Sequence, residues 1–108
     1  KAEGETAVSA LLKKASGSLG KGDLDGAAAY LENAQRLDPK NSKILYDIAN
    51  IRYHQGRYKE AESMASRAVQ TGGSNAMLKK SWSLISNSRN KLGDSQGAVQ
   101  AATKAASY

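Results

Sequence analysis

His54 is the one imidazole in a chain of 108 residues that contains no cysteine. A metal site built around it would need further ligands at helical or loop spacing. Asp47 and Asn50 fall one or two turns earlier on a similar helix face, which makes an incomplete set. The absence of cysteine removes disulfides, thiolate metal sites and thiol nucleophiles together. No Ser-His-acid arrangement is apparent along the chain. The carboxylates Asp23, Asp25, Glu32, Glu60 and Glu62 stand near expected helix starts or exposed faces. There they read as caps and solvated surface, in no acid–base pairing. Gly17-Ser18-Leu19-Gly20-Lys21-Gly22 is no phosphate loop, because it lacks a preceding strand and a closing Lys-Ser or Lys-Thr. The expectation is therefore a protein with no catalytic residue, no metal site and no cofactor, which is not an enzyme.

The elements that carry these residues are helical. Few β-branched or aromatic residues, and many Ala, Leu, Lys and Gln, favour helix over strand. One domain of 108 residues is expected, and it is all-α. The longest apolar stretches are a few residues, too short to span a membrane. The formal charge of +6 could serve nucleic acid, an anionic surface or an acidic partner. Lysines and arginines occur singly or in pairs such as Lys13-Lys14 and Lys79-Lys80, so the charge reads as solubility, and nucleic acid is not the expected partner.

An internal repeat organises the chain. Gly22, Gly56 and Gly93 each follow a helical stretch and precede another, 34 and then 37 residues apart. The same offsets carry Ala27 to Ala61 to Ala98, Ala34 to Ala68 to Ala105, and Leu11 to Leu45 to Trp82. Each unit reads as helix, tight turn, helix. The alanines let two helices approach, while Leu11, Leu45 and Trp82 fill the space between neighbours. Glycine in the turn accepts the left-handed backbone that a sharp helix stop requires. Asp23 and Asp94 then cap the next helix, whereas Arg57 leaves the second turn without that cap.

Pro39 ends the first unit, and Asn41 or Ser42 opens the second. Thr71-Gly72-Gly73-Ser74-Asn75 separates the second from the third. The repeats are set at about 8–41, 42–75 and 79–108, with a three-residue insertion near 76–78 that adds almost one turn to the fifth helix. Six helices are predicted, over about 6–20, 24–37, 42–55, 58–71, 75–92 and 95–106.

The segment from Ile44 to Ala61, with its large residue, its Ile48-Ala49 pair, its Gly56-Arg57-Tyr58-Lys59-Glu60-Ala61 turn and the later Ala68, resembles a tetratricopeptide repeat. The first unit matches through Gly22-Asp23-Leu24, Ala27, Leu31, Ala34 and Pro39, and departs at Lys14 and Ser18. The third matches through Trp82, Ile85, Gly93-Asp94, Ala98 and Ala105, and departs at Ser86 and Arg89. The resemblance implies a right-handed α-α superhelix of three helix-turn-helix repeats whose first helices line a concave groove. An Ala-rich Gly-Asp-Leu unit, the link Leu37-Asp38-Pro39-Lys40-Asn41 and the entry Lys79-Lys80-Ser81-Trp82-Ser83-Leu84-Ile85 are also similar to small bacterial cell-envelope proteins, many of them lipoproteins. That likeness implies the periplasm or an outer-membrane anchor, with the cytoplasm as the alternative. Lys1 in place of an initiator Met is expected of a portion of a longer protein.

Helical spacing mapped onto the family's groove selects Lys13 and Ser16 in the first unit. In the second it selects Lys43, Tyr46, Asp47, Asn50, Tyr53 and His54, and in the third Lys80, Ser83, Asn87, Asn90 and Lys91. Asn50 and Asn87 occupy equivalent places, where related domains hold peptide backbone through the paired donor and acceptor of the amide. Tyrosine rings add rigid contact area at low entropic cost. Relatives that clamp a C-terminal carboxylate use Lys and Asn where this chain has Leu12 and Ser16, and Asn where it has Asp47, so that clamp is not expected.

The resemblance implies a scaffold that binds a peptide segment or protein partner in the groove. The alternative is a self-assembly module forming a homodimer, and so a homo-oligomer, through the exposed terminal-helix surface at Val99, Ala102, Ala106 and Tyr108.

Overall fold

A computed structural model describes residues 6–108. Its elements are α1 (Ala7–Gly20), α2 (Leu24–Leu37), α3 (Ser42–His54), α4 (Tyr58–Thr71), α5 (Asn75–Lys91) and α6 (Ser95–Ala106). The described residues contain no strand. The observed helices agree with the predicted ones to within a residue at each end. The fold class is all-α, built from helix-turn-helix hairpins.

Each hairpin turns by the same device. The amide of Gly22 donates to the Leu19 carbonyl (3.0 Å), and that of Asp23 to the Ser18 carbonyl (2.9 Å). Gly56 and Arg57 do the same with Tyr53 and Arg52 (3.0 and 2.8 Å), and Gly93 and Asp94 with Asn90 and Arg89 (3.1 and 2.9 Å). Paired bonds of this kind close a helix only if the residue at the corner is left-handed. Gly22, Gly56 and Gly93 have φ of 77°, 81° and 84°, and among the described residues only glycines take positive φ.

The helix starts differ as expected. Asp23 and Asp94 each accept from the amide three residues on, Gly26 and Gly97, at 2.9 Å. A side chain at Gly97 would collide with the Asp94 carboxylate, so the cap and the small residue belong together. Arg57 makes no side-chain cap at the start of α4. Instead Glu60 lies 3.6 Å from Arg57 and 3.5 Å from Arg52. Asn41, not Ser42, caps α3, accepting from the amides of Lys43 and Ile44 at 3.1 and 3.2 Å. Ser74 caps α5 through the Met77 amide at 3.1 Å.

The chain forms two compact units, one ending at Lys40 and one from Asn41 to Tyr108. The first is the α1–α2 hairpin, with Ala15, Ala27, Ala28, Leu31 and Ala34 buried. Lys14, polar where an apolar residue is usual, lies 5.9 Å from the centre of the Tyr30 ring.

The second unit holds α3 to α6. Here α3 packs on α4, α4 on α5 and α5 on α6, and α5 also touches α3. Ala49, Ala65, Leu84, Ile85 and Ala101 make one buried cluster, against which Tyr46, Tyr53, Met64, Val69 and Trp82 pack half-buried. α5 has 17 residues, and the other helices have 12 to 14. It begins 18 residues before its turn glycine, where α3 begins 14 before its own, so the extra turn lies upstream of Trp82.

The two polar departures in the third repeat have structural partners. Ser86 Oγ donates to the Ala98 carbonyl at 2.7 Å in a buried contact between α5 and α6. Arg89 donates through Nε to Glu62 at 2.8 Å and through Nη1 to the Gly97 carbonyl at 3.0 Å. Glu62, expected on the solvated surface, is thus a partner in an ion pair joining α4 to α5.

Candidate functional site

α3 and α5 lie side by side because small residues, Ala49 on α3 and Ala65 on α4, accept Leu84 and Ile85 of α5. The outward edges of α3 and α5 then face each other across a cleft of about 440 Å³. Its walls are Tyr46, Asn50, Tyr53 and His54 from α3, and Lys79, Lys80, Ser83, Leu84 and Asn87 from α5. No carboxylate lines it.

The aromatic wall is braced. The Tyr53 ring meets the His54 ring edge to face at 5.6 Å and the Tyr58 ring at 5.3 Å. His54 Nδ1 lies 2.8 Å from the backbone carbonyl oxygen of Asn50, which can only accept, so Nδ1 is the donor of this contact. Tyr46 is half-buried, and Lys80 Nζ sits 5.1 Å from its ring centre. Burial, and secondarily the charge of Asp47, raises the Tyr46 hydroxyl pKa above its ordinary value, so the phenol remains a neutral donor.

Asn50 and Asn87, equivalent in the repeat, stand on opposite walls. Each amide offers a donor and an acceptor, the pair an extended backbone presents. Cleft, flanking rings and two amides together form a surface suited to holding polypeptide.

Of the groove residues read from the sequence, Tyr46, Asn50, Tyr53, His54, Lys80, Ser83 and Asn87 share this cleft. Lys43, Asp47, Asn90 and Lys91 are not among its walls. Lys43 and Asp47 pair with each other at 2.8 Å, one turn apart, and Lys91 lies 6.0 Å from the Tyr58 ring centre. Lys13 and Ser16 of the first unit are exposed on α1. Lys79 and Leu84 also line the cleft, and helical spacing on the family's groove does not select them, although the Lys79-Lys80 doublet marks the place. Lys79 Nζ donates to the Ala105 carbonyl at 3.3 Å, in the last turn of α6, where a cation is favoured by the helix dipole.

Charge is also less evenly spread than scattered lysines suggest. Residues 1–40 carry six basic and six acidic side chains, residues 41–74 five and three, and residues 75–108 five and one. The α5–α6 hairpin thus holds most of the net charge.

Among the described residues no group of three or more His, Asp or Glu could hold a metal, and no helix is long and apolar enough to cross a membrane.

The sequence profile of the tetratricopeptide repeat matches residues 18–80. No curated protein sequence matches the chain. Among solved structures, the globular C-terminal domain of P. aeruginosa LpoP is similar at 41% identity and a TM-score of 0.86, over 94% of this chain and 96% of that one. The N-terminal domain of stress-induced protein-1 (STI-1) from C. elegans shares the fold at 20% identity and a TM-score of 0.87, over 95% of this chain and 87% of that one. With a repeat profile over more than half of its length, and the helix-turn-helix hairpins that the profile encodes, the chain belongs to the tetratricopeptide repeat family.

Proposed function

We propose that this domain captures an extended peptide segment of a protein partner in the cleft between α3 and α5. The repeats concerned are those set at about 42–75 and 79–108. The observation that carries the reading is the placement of Asn50 and Asn87 on opposite walls of one cleft, flanked by Tyr46 and Tyr53 and free of carboxylates. Two amides can hold a backbone through both of its hydrogen-bonding groups, and the rings supply contact area without much loss of rotamer freedom. The family's general role in protein–protein interaction supports a protein partner, and no reaction is proposed. A bacterial cell-envelope setting is proposed with it, supported by the Gly-Asp-Leu and Leu-Asp-Pro-Lys-Asn pattern and by the 41% identity with a domain from P. aeruginosa.

The test places a photo-crosslinking amino acid at Tyr53 and, as a control, at Gln70 on the exposed face of α4. A defined partner crosslinked from Tyr53 alone, and lost on Asn50→Ala with Asn87→Ala, supports the cleft. Equal crosslinking from both positions, or no effect of the double variant, removes it.

A further inference from the structure

The α3–α4 hairpin and the α5–α6 hairpin each form a groove between their helices, and the first of these is already filled. Ala49 and Ala65 on its floor are buried by Leu84 of α5, and Tyr46 and Val69 pack at its edges. Two polar contacts hold the ends of the filling helix, Lys80 over the Tyr46 ring and Arg89 on Glu62. The offset of 37 residues carries these groove positions to Ser83, Ser86, Val99, Ala102 and Ala106. Four of these, Ser83, Ser86, Ala102 and Ala106, line a cavity of about 290 Å³ between α5 and α6, and Val99 lies outside it. No described residue covers its outer edge: Ala102 and Ala106 are exposed, and Val99 is 65% exposed.

We infer that this second groove docks a helix of a protein partner, and that the helix is acidic towards its N-terminal end and aliphatic further on. The filled groove shows that the occupant is a helix. The exchanged side chains show which one. Tyr46, which receives a lysine, becomes Ser83, beside Lys79 and Lys80, so the occupant carries a carboxylate where α5 carries Lys80. Glu62, which receives an arginine, becomes exposed Val99, so the occupant carries an aliphatic group where α5 carries Arg89. Charge complementarity points the same way. The hairpin has five basic side chains and one acidic one, Asp94, whose carboxylate is occupied as a helix cap. A second copy of the chain would bring a further +6 to this face.

The groove shares Lys79, Ser83 and Asn87 of α5 with the peptide cleft, but Ala102 and Ala106 of α6 line the groove alone and Asn50 and Tyr53 of α3 the cleft alone, so either can fail alone. The probe is a helix-stapled peptide with the α5 sequence, residues 75–91, carrying Lys80→Glu and Arg89→Leu; the unaltered α5 peptide is the control. Binding to the 108-residue protein is read by fluorescence anisotropy and mapped by amide NMR shifts. The altered peptide is expected to bind at least tenfold more tightly than the control, more weakly as salt rises, and with shifts at Val99, Ala102 and Ala106. Ala102→Arg, at an exposed helical position, should abolish this binding with the helical circular dichroism retained, and Asn50→Ala should leave it unchanged. Equal affinity of the two peptides, shifts centred on Asn50 and Tyr53, or shifts that follow protein dilution in the absence of peptide would each overturn the inference.

Discussion

Arg89 on α5 holds Glu62 on α4 at 2.8 Å, and the same guanidinium donates to the Gly97 carbonyl at the start of α6. Three helices therefore share one side chain. About a quarter of each partner's side chain is exposed, so the pair is screened by solvent only in part. Arginine suits this place because its planar fork sends donors in two directions at once.

Replacing Arg89 with alanine leaves a half-buried carboxylate and a carbonyl without their donor. We expect a loss of about 1–3 kcal/mol, read from urea unfolding. Arg89→Lys should recover less than half of it, because one ammonium cannot reach both acceptors. A cost below about 0.5 kcal/mol for Arg89→Ala would show that the contact is an ordinary surface pair.

Three serines on α5 are buried with opposite consequences. Ser86 Oγ has the Ala98 carbonyl, while Ser81 and Ser88 hydroxyls have no hydrogen-bond partner. Ser86→Ala should cost about 1 kcal/mol, whereas Ser81→Ala and Ser88→Ala should be neutral or stabilise by up to about 1 kcal/mol. Thermal unfolding of the three single variants gives the comparison.

α4 is the helix whose N-cap residue, Arg57, makes no side-chain cap hydrogen bond, yet Glu60 stands at the third helical position. Arg57→Ser would complete a capping box with Glu60 and should raise stability by about 0.5–1 kcal/mol. The exposed Arg57–Glu60 contact that it removes is worth little. An unchanged or lowered melting temperature would contradict this.

Tyr46 should ionise above the ordinary tyrosine range. Burial raises its pKa first, and Asp47 adds to the effect, so Asp47→Asn should move the titration down only in part. The sign for stability follows from the order of proton release. The unfolded chain gives up this proton near pH 10 and the folded chain later, so stability is intact below about pH 10 and falls as pH rises through the folded pKa. Phenolate absorbance of the wild type minus that of Tyr46→Phe isolates the transition.

Helix positions, turn glycines and caps were legible along the chain because they depend on near neighbours. Gly22, Gly56 and Gly93 hold the same backbone corner in all three hairpins, and Asp23 and Asp94 cap at a spacing of three residues. Half of the proposed site was legible for the same reason: Tyr46, Asn50 and Tyr53 fall on one face of one helix whatever surrounds it. Its opposite wall was less so, since Lys79 and Leu84 enter the cleft only once α5 has a fixed rotation against α3.

What the amino-acid order determined by itself was the repeat, the six helices and the corner at which each pair turns, all set by interactions within about five residues. Which polar side chains would be spent inside the fold was decided by tertiary packing. Glu62 and Arg89 are 27 residues apart; in the sequence Glu62 reads as a surface charge, and Arg89, like Ser86, as a polar departure from its repeat. Only the approach of α4, α5 and α6 turns them into partners. The same approach leaves Asn50, Asn87 and Lys80 with their polar ends in the cleft, because helix rotation, set by where alanines permit close contact, determines which face remains for a ligand.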